Sequence, residues 1–274
     1  ADAIVADPAV PVDAELLDAA GEQLRVVANF AVGYDNIDLP ACRGRGVIAT
    51  NTPGVLTEAT AELALALTLA AARRLSDAER DLRAGRWTGW DPAAYRGLEL
   101  RGSTVGVVGL GRIGLRYAEM VHALGARIVY AANTPKPDAE IALGARRMEL
   151  PGLLEVADVV SLHAPGTEAT RGLIGRAELE AIGPAGVLVN TARGTMVDAA
   201  AVAAALRDGR LGAAGLDVYE GEPAVPAELL EAPRCVLLPH IGSATVTSRD
   251  GMARLAAENV IAVLEGREPP SRIS

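Results

Sequence analysis

The stretch Thr104-Val105-Gly106-Val107-Val108-Gly109-Leu110-Gly111-Arg112-Ile113-Gly114 decides the fold. Thr104–Val108 is a short apolar run rich in β-branched residues, the pattern of a buried strand. Glycines follow at 109, 111 and 114, and residues 112–124 then carry apolar side chains at helical spacing. Residues 127–130 form a second β-type run. A Gly-x-Gly-x-x-Gly turn has meaning only between a strand and a helix, and here it lies between both. In that setting the first glycine allows the tight turn, the second lets backbone approach a pyrophosphate, and the third lets helix and strand pack closely. The helix N-terminus then directs unpaired N–H groups and a positive dipole end at phosphate. The unit is expected to bind a dinucleotide.

The same alternation extends in both directions. Downstream, strands are expected at Val159–Leu162, Val187–Asn190, 213–217 and 236–238, with helices near 178–182 and 198–207. Upstream, strand Ala3–Ala6, helix 13–20 and strand 25–29 precede a glycine-containing turn, Val32-Gly33-Tyr34-Asp35. A strand at 47–50 leads to a helical stretch over 58–75. Ser76-Asp77-Ala78-Glu79 has the form of a capping box and predicts a second helix ending near Gly85. The turn-rich stretch from Trp87 to Gly102 reads as a domain crossing. The last helix, 245–264, is expected to return to the first domain. Strands alternating with helices argue for an α/β fold with a mainly parallel sheet. The expected division is 1–75 with 245–274 as one domain and 76–244 as the dinucleotide-binding domain.

Bulk composition excludes several function classes. Half of the 274 residues are apolar, enough for two buried cores. The net charge of −9 offers no basic face to a nucleic acid. No apolar run is long enough to span a bilayer; 63–72, the longest, stops at Arg73-Arg74. No charged segment followed by an apolar one opens the chain in the manner of a secretory signal. Cys42 and Cys235 are isolated and, with three histidines, show no metal-ligand spacing. A reduced, cytoplasmic setting fits this cysteine usage.

The loop after the second strand of the dinucleotide unit bears on the choice of cofactor. An NAD site places an acid there for the ribose hydroxyls. Ala131-Ala132-Asn133-Thr134-Pro135-Lys136 has none. Asn133, Thr134 and Lys136 instead offer donors to a 2′-phosphate, so NADP is expected, with NAD as the alternative.

Three polar clusters follow later strands of the same unit, where ligands of open α/β sheets bind. They are Asn190-Thr191-Ala192-Arg193-Gly194, Asp217-Val218-Tyr219-Glu220-Gly221-Glu222-Pro223 and Pro239-His240-Ile241-Gly242-Ser243. Together they supply a cation, carboxylates and one histidine. Hydride arriving at a 2-oxo acid builds negative charge on the carbonyl oxygen. A guanidinium holds the carboxylate and polarises the carbonyl. An imidazolium gives the oxygen its proton, and a neighbouring carboxylate raises its pKa and fixes its tautomer. Taken singly, each of these residues also reads as a surface charge or a structural histidine.

With these motifs in place, the chain resembles the D-isomer-specific 2-hydroxyacid dehydrogenases, above all the glyoxylate/hydroxypyruvate reductases. The resemblance runs from about Leu24 to the C-terminus. It rests on Val32-Gly33-Tyr34-Asp35, 51–62, Gly85-Arg86-Trp87-Thr88-Gly89-Trp90, 108–114, 190–194, Gly215-Leu216-Asp217-Val218 and 238–245, in that order. It implies a Rossmann-type doubly wound sheet plus a smaller flavodoxin-like substrate domain. It implies Arg193 as carboxylate and carbonyl clamp, His240 as proton donor, and Glu222 as its partner. Val32 and Gly33 match the loop whose N–H groups meet the substrate carboxylate. Arg112 and Ile113 match pyrophosphate contacts. His163-Ala164-Pro165, Thr170, Thr191 and Ala192 match the walls around adenosine and nicotinamide. Asp217 matches a residue facing the nicotinamide side, and Thr60 and Ser243 match further positions near cofactor or substrate. The Trp87/Trp90 loop resembles one that reaches a neighbour's active site, which implies a homodimer.

Members of this family carry another strand–helix–strand stretch before the equivalent of Ala1, so the first domain is expected to be N-terminally truncated. The expected activity is NAD(P)H-dependent reduction of a small 2-oxo acid to the D-2-hydroxy acid. Oxidation of formate or phosphite is a neighbouring option, and the Trp loop and the His-Ile-Gly-Ser run match the reductases better. A nucleotide-sensing binding protein, like the family's transcriptional corepressors, and an inactive truncated member are the other readings. Retention of Arg193, Glu222 and His240 together argues against the sensor.

Overall fold

The computed structural model describes residues 1–274. The chain opens with β1 (Ala3–Ala6), α1 (Ala14–Ala20), β2 (Val26–Asn29), α2 (Leu39–Gly44) and β3 (Ile48–Thr50), followed by α3 (Thr57–Ala72) and α4 (Leu75–Arg83). Next come β4 (Thr104–Val108), α5 (Arg112–Ala123), β5 (Arg127–Ala131), α6 (Pro137–Leu143), β6 (Arg146–Arg147), α7 (Leu150–Val156) and β7 (Val159–Leu162). The chain continues through α8 (Arg176–Ile182), β8 (Val187–Asn190), α9 (Ala199–Arg207), β9 (Ala213–Leu216), α10 (Ala227–Leu230), β10 (Cys235–Leu237) and α11 (Val246–Leu264). It divides into two compact units, Ala1–Ala59 with Ser243–Ser274, and Thr60–Gly242.

The smaller unit holds a three-stranded parallel sheet, ordered β1-β2-β3. Every residue of β2 is buried, as a central parallel strand covered on both faces requires. Val12, Leu17, Val27, Cys42 and Ala49 form its core. Asp13 and Asp38 cap α1 and α2 by accepting from the N–H groups of Leu16 (3.0 Å) and Ala41 (2.9 Å). Helix α11 belongs to this unit, and the Arg25 guanidinium satisfies the Val263 and Leu264 carbonyls at its end. β1 is an edge strand, with Val5 exposed on it.

The larger unit is built on seven parallel strands ordered β10-β9-β8-β7-β4-β5-β6. Strand order reverses between β4 and β7, the switch point beside the Gly109 turn. Side chains alternate across the sheet. Val105 and Val107 pack with α3 and α5, whereas Val108 packs on the opposite face with α7 and α8. Helix α5 buries Gly114, Tyr117, Ala118 and Val121, a stripe at i, i+3, i+4 and i+7. Gly106 admits α7, because a Cβ there would lie 2.5 Å from Leu153 Cδ2. These are the doubly wound layers that the alternating sequence predicts.

Two details differ from the sequence expectation. Residues 60–75 group with the larger unit, although the sequence draws the boundary after Leu75. The reason is packing: Ala61, Ala64, Leu67 and Ala71 share the core of β4 and α5, and Leu67 lies directly on Gly215 of β9. The capping box at Ser76 does not form. Helix α4 starts two residues before that box would start it, after Arg74 in the left-handed region at φ 54°, with no side-chain cap. Ser76 Oγ donates to the Cys235 carbonyl instead, and Asp77 pairs with Arg74 at 3.2 Å. No helix is long and apolar enough to cross a membrane.

Candidate active site

The three glycines divide the labour of the turn after β4. Gly109, at φ +93°, sits where a Cβ would lie 2.6 Å from the Ala164 nitrogen. It lets the turn lie flat on the loop after β7. Gly114 sits where a Cβ would lie 2.1 Å from the Gly109 carbonyl oxygen, so helix α5 closes onto the turn only through a bare Cα. Gly111 differs from both, having open space where its Cβ would point. It begins α5 with no side-chain cap, and its neighbours Arg112 and Ile113 form the first turn. An anion is accommodated by such an uncapped, unobstructed helix start. Thr191 Oγ1, just beyond β8, is buried without a partner, a second polar group left for a ligand. On both observations the residues fit a dinucleotide.

The walls follow β7. The His163 N–H donates to the Val108 carbonyl at 2.7 Å, which seats His163-Ala164-Pro165 beside the turn. Burial pushes the His163 imidazole down to about 3, so it is neutral. Its Nε2 lies 2.9 Å from Ser161 Oγ, and its ring packs on Tyr117 at 5.0 Å. Thr170 closes the loop: its hydroxyl donates to the Pro165 carbonyl at 2.8 Å and accepts from the Thr167 N–H at 2.9 Å.

The loop after β5 carries Asn133 and Thr134 exposed at its tip. The structure adds a cation that sequence reasoning missed. Arg147, on the neighbouring edge strand β6, lays its guanidinium along the loop, with Nε 3.1 Å from the Ala132 carbonyl and Nη2 3.3 Å from that of Asn133. Its hydrogen-bond partners are neutral carbonyls. The acid nearest in sequence to this loop that the structure ties down is Glu140 of α6, which accepts from the Tyr130 hydroxyl at 2.5 Å. No local signal exposes Arg147, since β6 is two residues long.

The loops after β8, β9 and β10 come together. Asn190, 1 % exposed, accepts from the Ala192 N–H and donates to the Arg193 carbonyl, both at 2.9 Å, and so sets the backbone under Arg193. Arg193 Nη1 donates to the Ala192 carbonyl at 2.7 Å. Gly166 passes so close to the Arg193 stem that a Cβ would lie 2.8 Å from its Cγ. Gly194 bolts this loop to the next, because a Cβ there would fall 1.9 Å from the Tyr219 carbonyl carbon. The loop after β9 is shaped in turn by Glu222, whose Oε1 accepts from the Tyr219 N–H at 2.8 Å. Its Oε2 lies 2.6 Å from His240 Nδ1.

His240 stands in the left-handed region, at φ 54°. Asp217, 1 % exposed, holds that conformation: its two carboxylate oxygens accept from the Ile241 and Gly242 N–H groups, each at 2.8 Å. Thr60 of α3 adds a hydroxyl bond to the Gly242 carbonyl at 3.2 Å. The Glu222 hydrogen bond raises the His240 pKa against burial, with the charges of Glu222 and Asp217 adding to it and Arg193 opposing. Burial pushes the Glu222 carboxyl up, but His240, the Tyr219 N–H and Arg193 outweigh it and hold it below the ordinary value. Burial raises Asp217 against its two backbone donors.

Within the larger unit, Glu222 meets His240 directly, Asp217 and Thr60 hold the loop that carries His240, Thr191 and Ala192 adjoin Arg193 on the loop after β8, and His163 and Ala164 lie against the Gly109–Gly114 turn with Pro165 and Thr170 on the same loop. Val32, Gly33 and Ser243 lie in the smaller unit. Asp217 and Thr60, expected near cofactor, spend their polar atoms on the loop that carries His240.

Residues 65–242 match the NAD binding domain of the D-isomer specific 2-hydroxyacid dehydrogenases. The glyoxylate reductase of Thermococcus litoralis is 46 % identical over 277 aligned residues, which cover 100 % of this chain and 83 % of the relative. Among solved structures, a Thermus thermophilus protein superposes with TM-score 0.93 at 48 % identity, covering 100 % of this chain and 86 % of its own. An NADPH-dependent glyoxylate/hydroxypyruvate reductase from Sinorhizobium meliloti, solved with NADP and malonate, superposes with TM-score 0.90 at 41 % identity, covering 100 % and 84 %.

Proposed function

The chain belongs to the D-isomer specific 2-hydroxyacid dehydrogenase family, and on that premise we propose that it reduces a small 2-oxo acid, glyoxylate or hydroxypyruvate, to the D-2-hydroxy acid. It is an NAD(P)-dependent enzyme of the glyoxylate/hydroxypyruvate reductase kind. The carrying observation is the 2.6 Å pair between His240 Nδ1 and Glu222 Oε2. Glu222 takes Nδ1 and leaves Nε2 to meet a substrate. When bound, the reduced nicotinamide supplies the hydride to the carbonyl carbon. Arg193 holds the substrate carboxylate and draws electron density toward the carbonyl oxygen through paired hydrogen bonds. His240 donates its Nε2 proton to that oxygen, leaving a neutral imidazole and a hydroxyl group.

The favoured cofactor in this reading is NADP. An acid at the tip of the β5 loop would repel a 2′-phosphate, and none is present. Arg147, bonded only to the Ala132 and Asn133 carbonyls, keeps its positive charge at the loop, where Asn133, Thr134 and Lys136 supply further donors. Charge-assisted hydrogen bonds contribute about 1.5–3 kcal/mol, so Arg147→Ala is expected to raise the KM for NADPH roughly 10- to 100-fold and to leave that for NADH nearly unchanged.

The assay is direct. Mixed with NADPH or NADH and glyoxylate, hydroxypyruvate or pyruvate, the chain is expected to consume the reduced cofactor. His240→Ala should lower kcat roughly 10²- to 10⁴-fold, and Arg193→Ala should damage substrate binding as well. Absence of turnover with every 2-oxo acid rejects the enzyme reading. A strong NADH preference rejects the NADP assignment alone.

The proposal includes a homodimer. Leu75 and Leu82 on α4, with Trp87 and Trp90 beyond it, are all exposed, Trp90 at 85 %. The loop is nonetheless anchored, since Asp81 accepts from Arg86 at 2.6 Å and from the Tyr95 hydroxyl at 2.7 Å. A tethered apolar patch of this kind marks an interface.

A further inference from the structure

A chain of hydroxyl groups runs through the core of the larger unit and ends on His163. Thr68 of α3, Tyr117 of α5 and Ser161 of β7 are each 0 % exposed. Thr68 Oγ1 lies 2.8 Å from the Tyr117 hydroxyl. Ser161 is hydrogen-bonded to the same hydroxyl, and its Oγ lies 2.9 Å from His163 Nε2. Burial pushes the Tyr117 phenol up to about 12, against its bonds with Thr68 and Ser161, so it keeps its proton. The neutral His163 ring has a single N–H, on one nitrogen or the other.

The hydroxyl protons decide which nitrogen it is. Thr68 has one, and donates it to the Ala64 carbonyl at 2.8 Å, one turn back in α3. Toward Tyr117 it can only accept, so Tyr117 donates to Thr68. Tyr117 has no second proton and accepts from Ser161. Ser161 then has none left for His163, so Nε2 carries the ring N–H and donates it to Ser161. Nδ1 is left as a bare lone pair. It meets no donor within the protein, and it is not among the enclosed unpaired atoms, so it opens outward. The residue stands beside the glycine turn: a Cβ on Gly114 would lie 3.1 Å from His163 Cβ, and one on Gly109 2.7 Å from the His163 carbonyl carbon. A lone pair there repels a phosphate oxygen and accepts from a hydroxyl or an amide N–H.

We propose that Thr68 and Tyr117, acting through Ser161, are positioning residues that hold His163 in its Nε2–H tautomer, so that Nδ1 accepts a hydrogen bond from a hydroxyl or amide group of the bound dinucleotide. The inference rests on the NAD(P)-dependent reading above and on no property of the 2-oxo acid. Every residue it uses lies in the larger unit. The chain of hydroxyls reverses as a whole. Thr68→Val keeps the side-chain shape and removes the acceptor at its far end. Tyr117 then donates to Ser161, Ser161 donates to Nε2, and the ring N–H moves to Nδ1, where it opposes the cofactor's own donor. Tyr117→Phe frees Ser161 to donate to Nε2 and leads to the same tautomer.

The test is nitrogen NMR of the isotope-labelled chain, in which protonated and bare imidazole nitrogens differ in chemical shift, with the Kd for NADPH measured on the same samples. The chain has three histidines, and His163→Gln assigns the ring. The expected result is Nε2–H in the native chain and Nδ1–H in Thr68→Val. The NADPH Kd is expected to rise about three- to tenfold, the size of one neutral hydrogen bond. Tyr117→Phe should act in the same direction, and carries the test if Thr68→Val does not fold. Nδ1–H in the native chain overturns the inference. So does an unchanged tautomer or an unchanged Kd in folded variants, while the dinucleotide reading stands. A native chain that binds neither NADPH nor NADH overturns both together.

Discussion

At His240 a single carboxylate sets both tautomer and titration. With Nδ1 against Glu222 Oε2, the ring's proton for donation resides on Nε2. The hydrogen bond that His240 Nδ1–H donates to Glu222 is the leading cause of the raised pKa, so the imidazolium persists above the ordinary value of 6.5. Reduction consumes that proton. Its rate should therefore hold at low pH and fall as pH rises through the raised pKa. Glu222→Gln removes the raising carboxylate and leaves burial, which lowers the pKa. The alkaline limb of kcat/KM for reduction is expected to move to lower pH by about one unit or more, and a pH profile that stays in place would remove Glu222 from its assigned role. The same shift bears on stability: the contribution of the raised His240 pKa is present below the unfolded value near 6.5 and lost as pH climbs through the folded one, and that of the lowered Glu222 is lost as pH falls through its own. Much of this is legible in the sequence, because Arg193, Glu222 and His240 each follow a strand within a few residues. Arg147 is not legible. Its partners are main-chain carbonyls brought close by strand pairing and loop shape, which no residue pattern encodes.

The strand–turn–helix element at 104–123 obeys its glycines in three different ways, and substitution should separate them. Gly114→Ala would gain helix propensity, yet its Cβ meets the Gly109 carbonyl oxygen at 2.1 Å. Overpacking of this kind costs about 1–3 kcal/mol, so a lower thermal midpoint and weaker NADPH binding are expected together. Gly111→Ala meets no atom within 4 Å. It should leave the midpoint near native and weaken NADPH binding alone, because the added methyl occupies the pyrophosphate's approach. Equal behaviour of the two variants in paired melting and titration experiments would refute this division. This element is the part most readable from sequence, since a five-residue strand and a twelve-residue helix both show their periods. Helices α2, α6 and α7, of six or seven residues, span fewer than two turns and each carry a proline in the first turn, so their sequence reads as turn. The start of α4 departs from its sequence signal because Arg74 ends the preceding helix in the left-handed conformation, and the two capping side chains are used elsewhere, Ser76 on the Cys235 carbonyl and Glu79 on Arg83.

For the whole molecule, the exposed side chains of α4 and its following loop carry the prediction of assembly. Leu82 is 60 % and Trp87 59 % exposed on a segment that Asp81 holds in place. Leu82→Arg should shift the sedimentation coefficient from dimer to monomer at micromolar concentration while the melting of the larger unit's core is little changed. A native chain that sediments as a monomer would dismiss the dimer.

The order of the seven strands separates two functions in space. The residues proposed for the reaction follow β8, β9 and β10, on one flank of the reversal between β4 and β7, and the loop proposed to select the cofactor follows β5, with Arg147 on β6, on the other. From β9 to β5 are four strand spacings of about 4.8 Å, roughly 19 Å in all. Substitutions that far apart, with no protein side chain in common, are expected to add in free energy except for what the bound dinucleotide carries between them. On the proposed reading, the choice of nucleotide and the chemistry at the carbonyl are thus separable variables of this architecture. Selection, or an engineer, can retune one flank and carry the other over intact.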